Sequence, residues 1–341
     1  MGQTDSRNIS MTTYLENAVS FRDHFSSIDG GHCRLHARLP KIIKMVVLGC
    51  ENTGKSTIIR QLRLLNGEKF SEEEIEYFKN TIRNNTWSAY KRLIKAIEHE
   101  VVNDCVINVI KLTPDYQQLI FSKDLVSNLE ALKDFYLERS ELNLLDRDLY
   151  FMTETRRIFN NKYMPIEKDI LYCKTETFGL SESKIQKCCQ EWLLIDTCGR
   201  KEERKNWIHC FEKVHAVLYV IGLNEYVMNE KFNESIKLLS QLSSAVWFRR
   251  TPMILLLNKV DKFRDLINVI PLSTVFDNDD VGSNFDDNCD FLKKYFNSFR
   301  PESEAIFTHF TCAIRRFSIE LFSAKVSQII ISQNLGTQSV L

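Results

Sequence analysis

Several features that would assign this chain to a class at once are missing. There is no net charge, because 45 basic residues balance 45 acidic residues, so no overall field attracts nucleic acid. No apolar run approaches the roughly 20 residues of a membrane-spanning helix, and the longest lies near residues 216–223. The ten cysteines form no C-x-x-C pair and no apolar signal segment is present, so we expect reduced thiols in a cytosolic compartment.

The chain has 341 residues and 44% apolar content, which is enough for two domains. The spacing of its apolar residues differs between two parts of the sequence. Helical spacing runs through residues 66–172, where Ser71 and Glu74 form a capping-box pattern at the start of a long helix. Strands then alternate with helices, which indicates a mostly parallel sheet covered on both faces. We therefore predict an N-terminal arm at 1–40, an α/β domain at 41–65 and 173–341, and an all-helical insertion at 66–172.

Six strands are predicted from short apolar runs, and helices from apolar residues at helical spacing. The strands cover residues 41–48, 183–189, 192–196, 216–221, 252–257 and 305–310. The helices cover residues 58–65, 71–100, 116–132, 142–145, 148–160, 201–211, 231–247 and 316–334.

Residues 49–57, Gly-Cys-Glu-Asn-Thr-Gly-Lys-Ser-Thr, fit the G-x-x-x-x-G-K-[ST] pattern of a phosphate-binding loop. Gly49 and Gly54 can adopt backbone angles that turn amide groups inward around a polyphosphate, and Lys55 adds a positive charge. Ser56 offers a hydroxyl to Mg²⁺, and the following helix points its positive end at the anion. A buried apolar run precedes the loop and a helical pattern follows it. The sequence therefore predicts a nucleotide site.

A second motif, Asn258-Lys259-Val260-Asp261, follows another buried apolar run and is suited to guanine. The carboxylate of Asp261 can accept hydrogen bonds from N1 and the 2-amino group, which adenine does not offer together. Backbone amides of Cys312 and Ala313, at the end of the next strand, could meet the guanine oxygen. A phosphate-loop kinase or ATPase is the alternative, and this motif disfavours it; a preference for ATP over GTP would restore it.

Taken together, these motifs resemble those of heterotrimeric G-protein α subunits, in the order that the family has them. The helical insertion separates that family from small Ras-like GTPases, which lack it. The resemblance implies a Ras-like P-loop GTPase domain with an inserted helical domain. The matching pieces are residues 49–57, the insertion, 169–171, Asp196 and Gly199 with residues 203–207, 258–261 and 308–313.

The resemblance also implies a site for GTP or GDP with Mg²⁺. Ser56 and Thr177 would supply hydroxyls to the metal, and Asp196 would reach it through water. The Gly199 amide would sense the γ-phosphate. The other implied nucleotide contacts are Gly49, Glu51, Asn52, Thr53, Gly54, Lys55 and Thr57 at the phosphates, Leu171 and Tyr172 at the hinge between domains, and Asn258, Lys259, Asp261, Cys312 and Ala313 at the base.

The chain departs from the family at its catalytic positions. Lys174 stands where the family has an arginine that stabilises the transferring phosphoryl group, and it lacks the planar fork of arginine. Arg200 stands where a glutamine orients water, and it has donors only. Glu51, Asn52 and Cys198 replace a glycine, a glutamate and a glycine. We expect retained nucleotide binding with slow or absent hydrolysis, and a pairing of Glu51 with Arg200 or Lys174 would relieve repulsion of the γ-phosphate.

Family resemblance further implies a βγ dimer and a seven-helix receptor as partners, with effector and GTPase-activating regulator unknown. The second-switch residues that would face the βγ dimer are Lys201, Glu203, Arg204, Lys205 and Trp207. Gly2 and Ser6 fit the N-myristoylation pattern. One acyl chain holds a protein to membrane only marginally. We expect a peripheral protein at the cytoplasmic face of the plasma membrane that is partly cytosolic. The alternative is a pseudo-GTPase of the same fold that acts as a scaffold or binding module.

Overall fold

The computed structural model describes residues 40–96, 123–137, 145–187, 190–276, 281–282, 284–300 and 306–336. Contacts divide the chain into two compact units, Met1–Gly67 with Thr177–Leu341, and Glu68–Glu176. Predictions for Gly2 and the rest of the N-terminal arm lie outside the described residues, as do those for 97–122, 138–144, 188–189 and the C-terminal tail. No helix among the described residues has the length and hydrophobicity needed to cross a bilayer.

The first unit contains a six-stranded sheet in the order β2-β3-β1-β4-β5-β6. All neighbouring strands are parallel except β2, which pairs antiparallel with β3. This confirms the predicted mostly parallel sheet of six strands. The strands are β1 Ile42–Leu48, β2 Leu180–Lys187, β3 Gln190–Thr197, β4 Ala216–Gly222, β5 Met253–Asn258 and β6 Phe307–Phe310.

Both faces of this sheet are covered, because successive side chains of a strand point to opposite sides. Val46 and Leu48 of β1 belong to the core on one face, and Met45 and Val47 to the core on the other. Every residue of β4 and of β5 is buried, as expected for central parallel strands. The helices of this unit are α1 Lys55–Leu65, α7 Asn229–Ser243, α8 Val260–Ile267, α9 Phe285–Asn297 and α10 Arg316–Gly336.

Two helices of the first unit differ from their predicted form. The predicted helix 201–211 is a 3₁₀ helix, Lys201–Cys210. The predicted helix 231–247 ends at Ser243, because buried Arg300 donates to the Ser243 carbonyl at 3.2 Å and to the Phe248 carbonyl at 2.9 Å. A guanidinium that satisfies these terminal carbonyls stabilises the helix end where it stands. Shorter 3₁₀ helices are Leu223–Val227, Val246–Phe248 and Leu272–Thr274.

The second unit is helical in its described residues. Its first helix begins with the predicted capping box: the Ser71 amide donates to Glu74 and the Glu74 amide donates to the Ser71 hydroxyl. The predicted helix 148–160 is two helices that break at Glu154. The helices are α2 Glu72–Ala96, α3 Lys123–Leu137, α4 Asp146–Thr153, α5 Thr155–Ile158 and α6 Glu167–Tyr172.

A buried carboxylate, Asp169, organises the end of the second unit. It is fully buried and accepts hydrogen bonds from the two terminal guanidinium nitrogens of Arg157, at 2.7 and 2.8 Å. It also accepts the hydroxyls of Tyr150 and Tyr163, at 2.6 and 2.9 Å, and the Ile166 amide at 2.9 Å. Burial alone would raise the pKa of Asp169, but these hydrogen bonds hold it below the ordinary value. One ionised side chain therefore joins α4, α5 and the turn before α6.

A buried histidine in β6, His309, makes the free energy of unfolding depend on pH. His309 stacks on Phe322, its ring nitrogens have no hydrogen-bond partner among the described residues, and burial lowers its pKa from 6.5 to about 4. The unfolded chain therefore binds more protons between these values, so stability falls as the pH falls. We expect urea unfolding to show a loss of up to about 3 kcal/mol over this window from His309.

The variant His309→Leu isolates this contribution, because leucine packs on Phe322 without titrating. The difference in unfolding free energy between the two proteins should change with pH between 6.5 and about 4 and stay constant above 7. Parallel pH profiles for the two proteins would contradict the assignment.

Candidate nucleotide site

The loop between β1 and α1 has the backbone that its glycines were predicted to allow. Gly49 and Gly54 have φ values of +142° and +103°, and Asn52, a residue type that tolerates this region, has +64°. A Cβ at Gly54 would lie 2.2 Å from the side-chain nitrogen, Nδ2, of Asn258. Glycine is therefore required at position 54 both for its backbone angle and for the approach of Asn258.

The charge of Lys55 is held inside this loop. Its ammonium donates to the carbonyls of Gly49 at 3.1 Å and Cys50 at 2.7 Å, and the residue is 6% exposed. Burial lowers the pKa of Lys55, and Asp196 opposes this by stabilising the charged form. The lysine is thus oriented across the loop in the position from which it can meet a phosphate.

Asn258, at the end of β5, joins the phosphate loop to the segment after β6. Its side-chain nitrogen donates to the Thr53 carbonyl at 2.8 Å, and its oxygen accepts the Ala313 amide at 3.0 Å. Asn258 is 1% exposed, so both bonds are fully buried. Three segments that sequence reasoning assigned to one site are therefore brought together by one side chain.

A cluster of oxygen donors lies at the start of α1. The Ser56 hydroxyl donates to Asp196 at 2.5 Å and lies 3.1 Å from the Thr177 hydroxyl. The other carboxylate oxygen of Asp196 is buried and has no hydrogen-bond partner among the described residues, and burial raises the pKa of Asp196. Two hydroxyls and a carboxylate suit a hard cation such as Mg²⁺. No group of three or more His, Cys, Asp or Glu side chains forms a metal site elsewhere in the described residues.

The residues predicted to read the base lie beside one another. Lys259 caps the start of α8 with a φ of +62°, and the Val260 amide donates to the Thr311 carbonyl at 3.2 Å. Burial, with the Asp261 charge, raises the pKa of Cys312 to about 12, so this thiol stays protonated. The Cys312 amide donates to the Ser318 hydroxyl at 2.9 Å, and the Ala313 amide is used by Asn258. Contact of these amides with a guanine oxygen stays a prediction.

Gly199 packs directly on the phosphate loop. A Cβ there would lie 2.5 Å from the Glu51 nitrogen and from the Cys50 carbonyl carbon, so no larger residue fits. Arg204 donates to the Gly199 carbonyl at 2.9 Å and to Glu234 of α7 at 2.6 Å. Burial alone would raise the pKa of Glu234, but Arg204 and Lys201 hold it below its ordinary value. Sequence reasoning missed Glu234, since a charged residue on a helix normally faces solvent.

The 3₁₀ helix Lys201–Cys210 does not present all the residues that were expected to face a βγ dimer. Lys201 and Lys205 are exposed, and Glu203 is half-buried. Trp207 is 3% exposed and donates its indole N–H to the Cys198 carbonyl at 2.9 Å. Because Arg204 is also turned inward, these two residues support the loop instead of forming a docking surface.

Of the substituted positions, Cys198 is buried and Arg200 is half-buried, whereas the two in the loop reach the surface. Glu51 and Asn52 are exposed. The Arg200 guanidinium lies over the Phe178 ring, 5.4 Å from its centre. The pairing of Glu51 with Arg200 or Lys174 stays a prediction.

Three predicted residues, Leu171, Tyr172 and Lys174, belong to the second unit. The Lys174 amide donates to the Asn85 side chain at 2.6 Å, and Asn85 donates back to the Lys174 carbonyl at 3.2 Å. Leu171 is buried, and the Tyr172 ring packs on Tyr150 with centres 4.6 Å apart. The backbone around Lys174 is therefore anchored to α2 within its own unit.

Comparison with known proteins points to one family. The G-protein alpha subunit family matches residues 26–330 of the chain. A guanine nucleotide-binding protein subunit alpha of Emericella nidulans is 30% identical over 314 residues, which cover 86% of this chain and 89% of the relative. A G-protein complex alpha subunit of Aspergillus fumigatus is 30% identical, and an alpha-1 subunit of Mycosarcoma maydis is 29% identical, with the same coverage. The chain therefore belongs to the G-protein alpha subunit family.

Proposed function

We propose that this alpha subunit is a guanine-nucleotide switch that binds GDP and GTP with Mg²⁺ and hydrolyses GTP slowly or not at all. The observation that carries the proposal is the cluster of Ser56, Thr177 and Asp196 beside the phosphate loop. Its three oxygen groups come from α1, from the segment before β2 and from β3. A ligand bound by all three groups would therefore link three separate segments of the first unit.

In this proposal each residue of the loop has a separate task. The loop amides and Lys55 bind the phosphates, with Lys55 already oriented by the Gly49 and Cys50 carbonyls. Ser56, Thr177 and Asp196 are the residues that would hold the cation. Mg²⁺, when bound, would neutralise charge on the phosphate oxygens.

Slow hydrolysis follows from the chemistry of two side chains. Arg200 cannot accept a hydrogen bond from an attacking water, because a guanidinium has donors only. Lys174 supplies charge without the bidentate geometry of arginine. Neither side chain supplies the catalytic chemistry of the family, so a GTP state would persist longer than is usual for the family.

The wider role is proposed on family membership. The switch would relay a signal from a seven-helix receptor, bind a βγ dimer in one nucleotide state, and lie at the cytoplasmic face of the plasma membrane with Gly2 acylated. The division into 41–65 with 173–341 and 66–172 would correspond to a Ras-like GTPase domain and an inserted helical domain. A protein that binds no nucleotide, or never exchanges it, would favour the scaffold function.

The variant Asp261→Asn tests guanine recognition. An amide cannot accept from both N1 and the 2-amino group, so GTP affinity should fall by about tenfold or more, because hydrogen bonds to a charged group are lost. Affinity for xanthosine triphosphate should rise, since its C2 carbonyl can accept from the new amide. Equilibrium binding of fluorescent nucleotides measures both effects, and ATP serves as the competitor that should not bind.

The nearby variant Asp265→Asn is the matched control, because Asp265 is exposed on α8 and should leave binding unchanged. Equal GTP affinity for Asp261→Asn and the parent would contradict base recognition by Asp261. Binding of ATP as tight as GTP would contradict the proposed function.

A further inference from the structure

Phe178 and Arg200 lie just beyond the end of the β2–β3 pair, in diagonal positions of its continued register. The antiparallel register brings Leu180 opposite Thr197, and the Cys198 amide donates to the Gly179 carbonyl at 3.0 Å. The contact between the Phe178 ring and the Arg200 guanidinium, at 5.4 Å, comes next in the same direction. It lies within the roughly 6 Å over which a cation is attracted to an aromatic face.

The two sides of this contact differ in how firmly they are held. Gly199, next to Arg200, is packed on the phosphate loop and bonded by Arg204 to Glu234. Phe178, on the other side, is 68% exposed. Arg200 therefore extends from a fixed support, and the ring of Phe178 is the group that it can hold.

Phe178 follows Thr177 directly in the chain, so the position of its ring constrains the position of Thr177. The Thr177 hydroxyl lies 3.1 Å from the Ser56 hydroxyl, in the oxygen cluster beside Asp196. A shift of Phe178 away from Arg200 would carry Thr177 out of this cluster, because one peptide unit separates the two residues. Nothing in the contact requires a phosphate.

We propose that Phe178 is a positioning residue that, through Arg200, keeps Thr177 in the cation site and makes the first switch segment (residues 177–180) and the second (198–204) open and close as one unit. Arg200 thereby couples the two segments instead of orienting water. The part of this proposal that concerns the cation rests on the proposed nucleotide function. The coupling itself does not depend on nucleotide.

Hydrogen exchange of the nucleotide-free protein tests the coupling. In Phe178→Leu both segments should exchange faster by the same factor, roughly two- to fivefold, which is the size expected for an exposed cation–π contact. Arg200→Leu should give the same acceleration, and the double variant should exchange no faster than either single variant. Phe178→Tyr keeps an aromatic face and should restore the parent rates.

The effect on the cation site is measured as the rate of GDP release with Mg²⁺ and with EDTA. Phe178→Leu should release GDP roughly two- to fivefold faster in Mg²⁺ and at the parent rate in EDTA. Trp247→Leu, another exposed aromatic of the same unit, should match the parent in both media.

Acceleration confined to one segment, or single-variant effects that multiply in the double variant, would overturn the coupling. Faster GDP release in EDTA as well as in Mg²⁺ would overturn the role in positioning Thr177. A parent protein that binds no GDP in either medium would reject the proposed function, while hydrogen exchange would still decide the coupling.

Discussion

The double variant Lys174→Arg, Arg200→Gln should hydrolyse GTP faster than the parent by about 10³-fold or more. The restored arginine can grip two phosphate oxygens in the transition state, and the restored glutamine can both donate to and accept from the attacking water. The larger part should come from the arginine, since an arginine finger contributes about 10³ to 10⁵ in rate. Single-turnover phosphate release from preloaded protein measures the effect without interference from nucleotide exchange.

Each single variant should give an intermediate rate, and Lys184→Gln on the exposed face of β2 should give the parent rate. A double variant that binds a GTP analogue with parent affinity but hydrolyses GTP no faster would refute the assignment of both positions. Arg200→Gln also removes the contact with Phe178, so its hydrogen exchange should accelerate even where its hydrolysis recovers.

Replacing Asp169 by alanine should destabilise the second unit by about 3 kcal/mol, because a hydrogen bond to a charged group contributes about 1.5–3 kcal/mol and several are lost. The change removes the acceptor of two Arg157 nitrogens and of two tyrosine hydroxyls, while Arg157 keeps its ion pair with Glu154. Urea unfolding followed by helical circular dichroism measures the loss. Asp134→Ala, an exposed carboxylate on α3, is the control and should cost less than about 1 kcal/mol.

The pH dependence of the same variants gives a second criterion. The folded pKa of Asp169 lies below its unfolded value, so its contribution is complete above about pH 4 and decreases as the pH falls through the folded value. Asp169→Asn should therefore lose stability at neutral pH and show a weaker acid dependence than the parent. Equal stability of Asp169→Ala and Asp134→Ala would show that the carboxylate does not organise this unit.

The sheet could be predicted from the sequence because its central strands carry their own signal. The runs predicted as the two central strands, residues 216–221 and 252–257, are apolar, and both correspond to buried strands, β4 and β5. A short apolar run between turn residues is typical of a buried strand. The break at Glu154 could not be predicted. Thr155 bonds to the Met152 carbonyl at 2.7 Å and to the distant Tyr90 hydroxyl at 2.8 Å, and no local pattern announces such a contact.

The candidate site divides in the same way. Gly49, Gly54, Lys55 and Ser56 were found because their chemistry requires a fixed spacing along the chain. The hydrogen bonds of Asn258 to Thr53 and Ala313 join residues 205 and 55 positions apart, so only the folded chain reveals them. Glu234 and Phe178 had no sequence signal, because an isolated carboxylate or aromatic residue is ordinary on a surface.

The register of β1 with β3 also has a kinetic consequence. The Thr197 hydroxyl donates to the Val47 carbonyl across 150 residues, and the second unit, Glu68–Glu176, occupies most of that interval. Helices form through local contacts and fold quickly, whereas parallel pairing must wait until a long loop has closed. If the second unit folds first, most of this loop is already ordered. The entropy cost of bringing β1 and β3 together is then smaller, and the two strands pair faster. Mutations that unfold only the second unit should therefore slow the refolding of the sheet, even though they touch none of its strands.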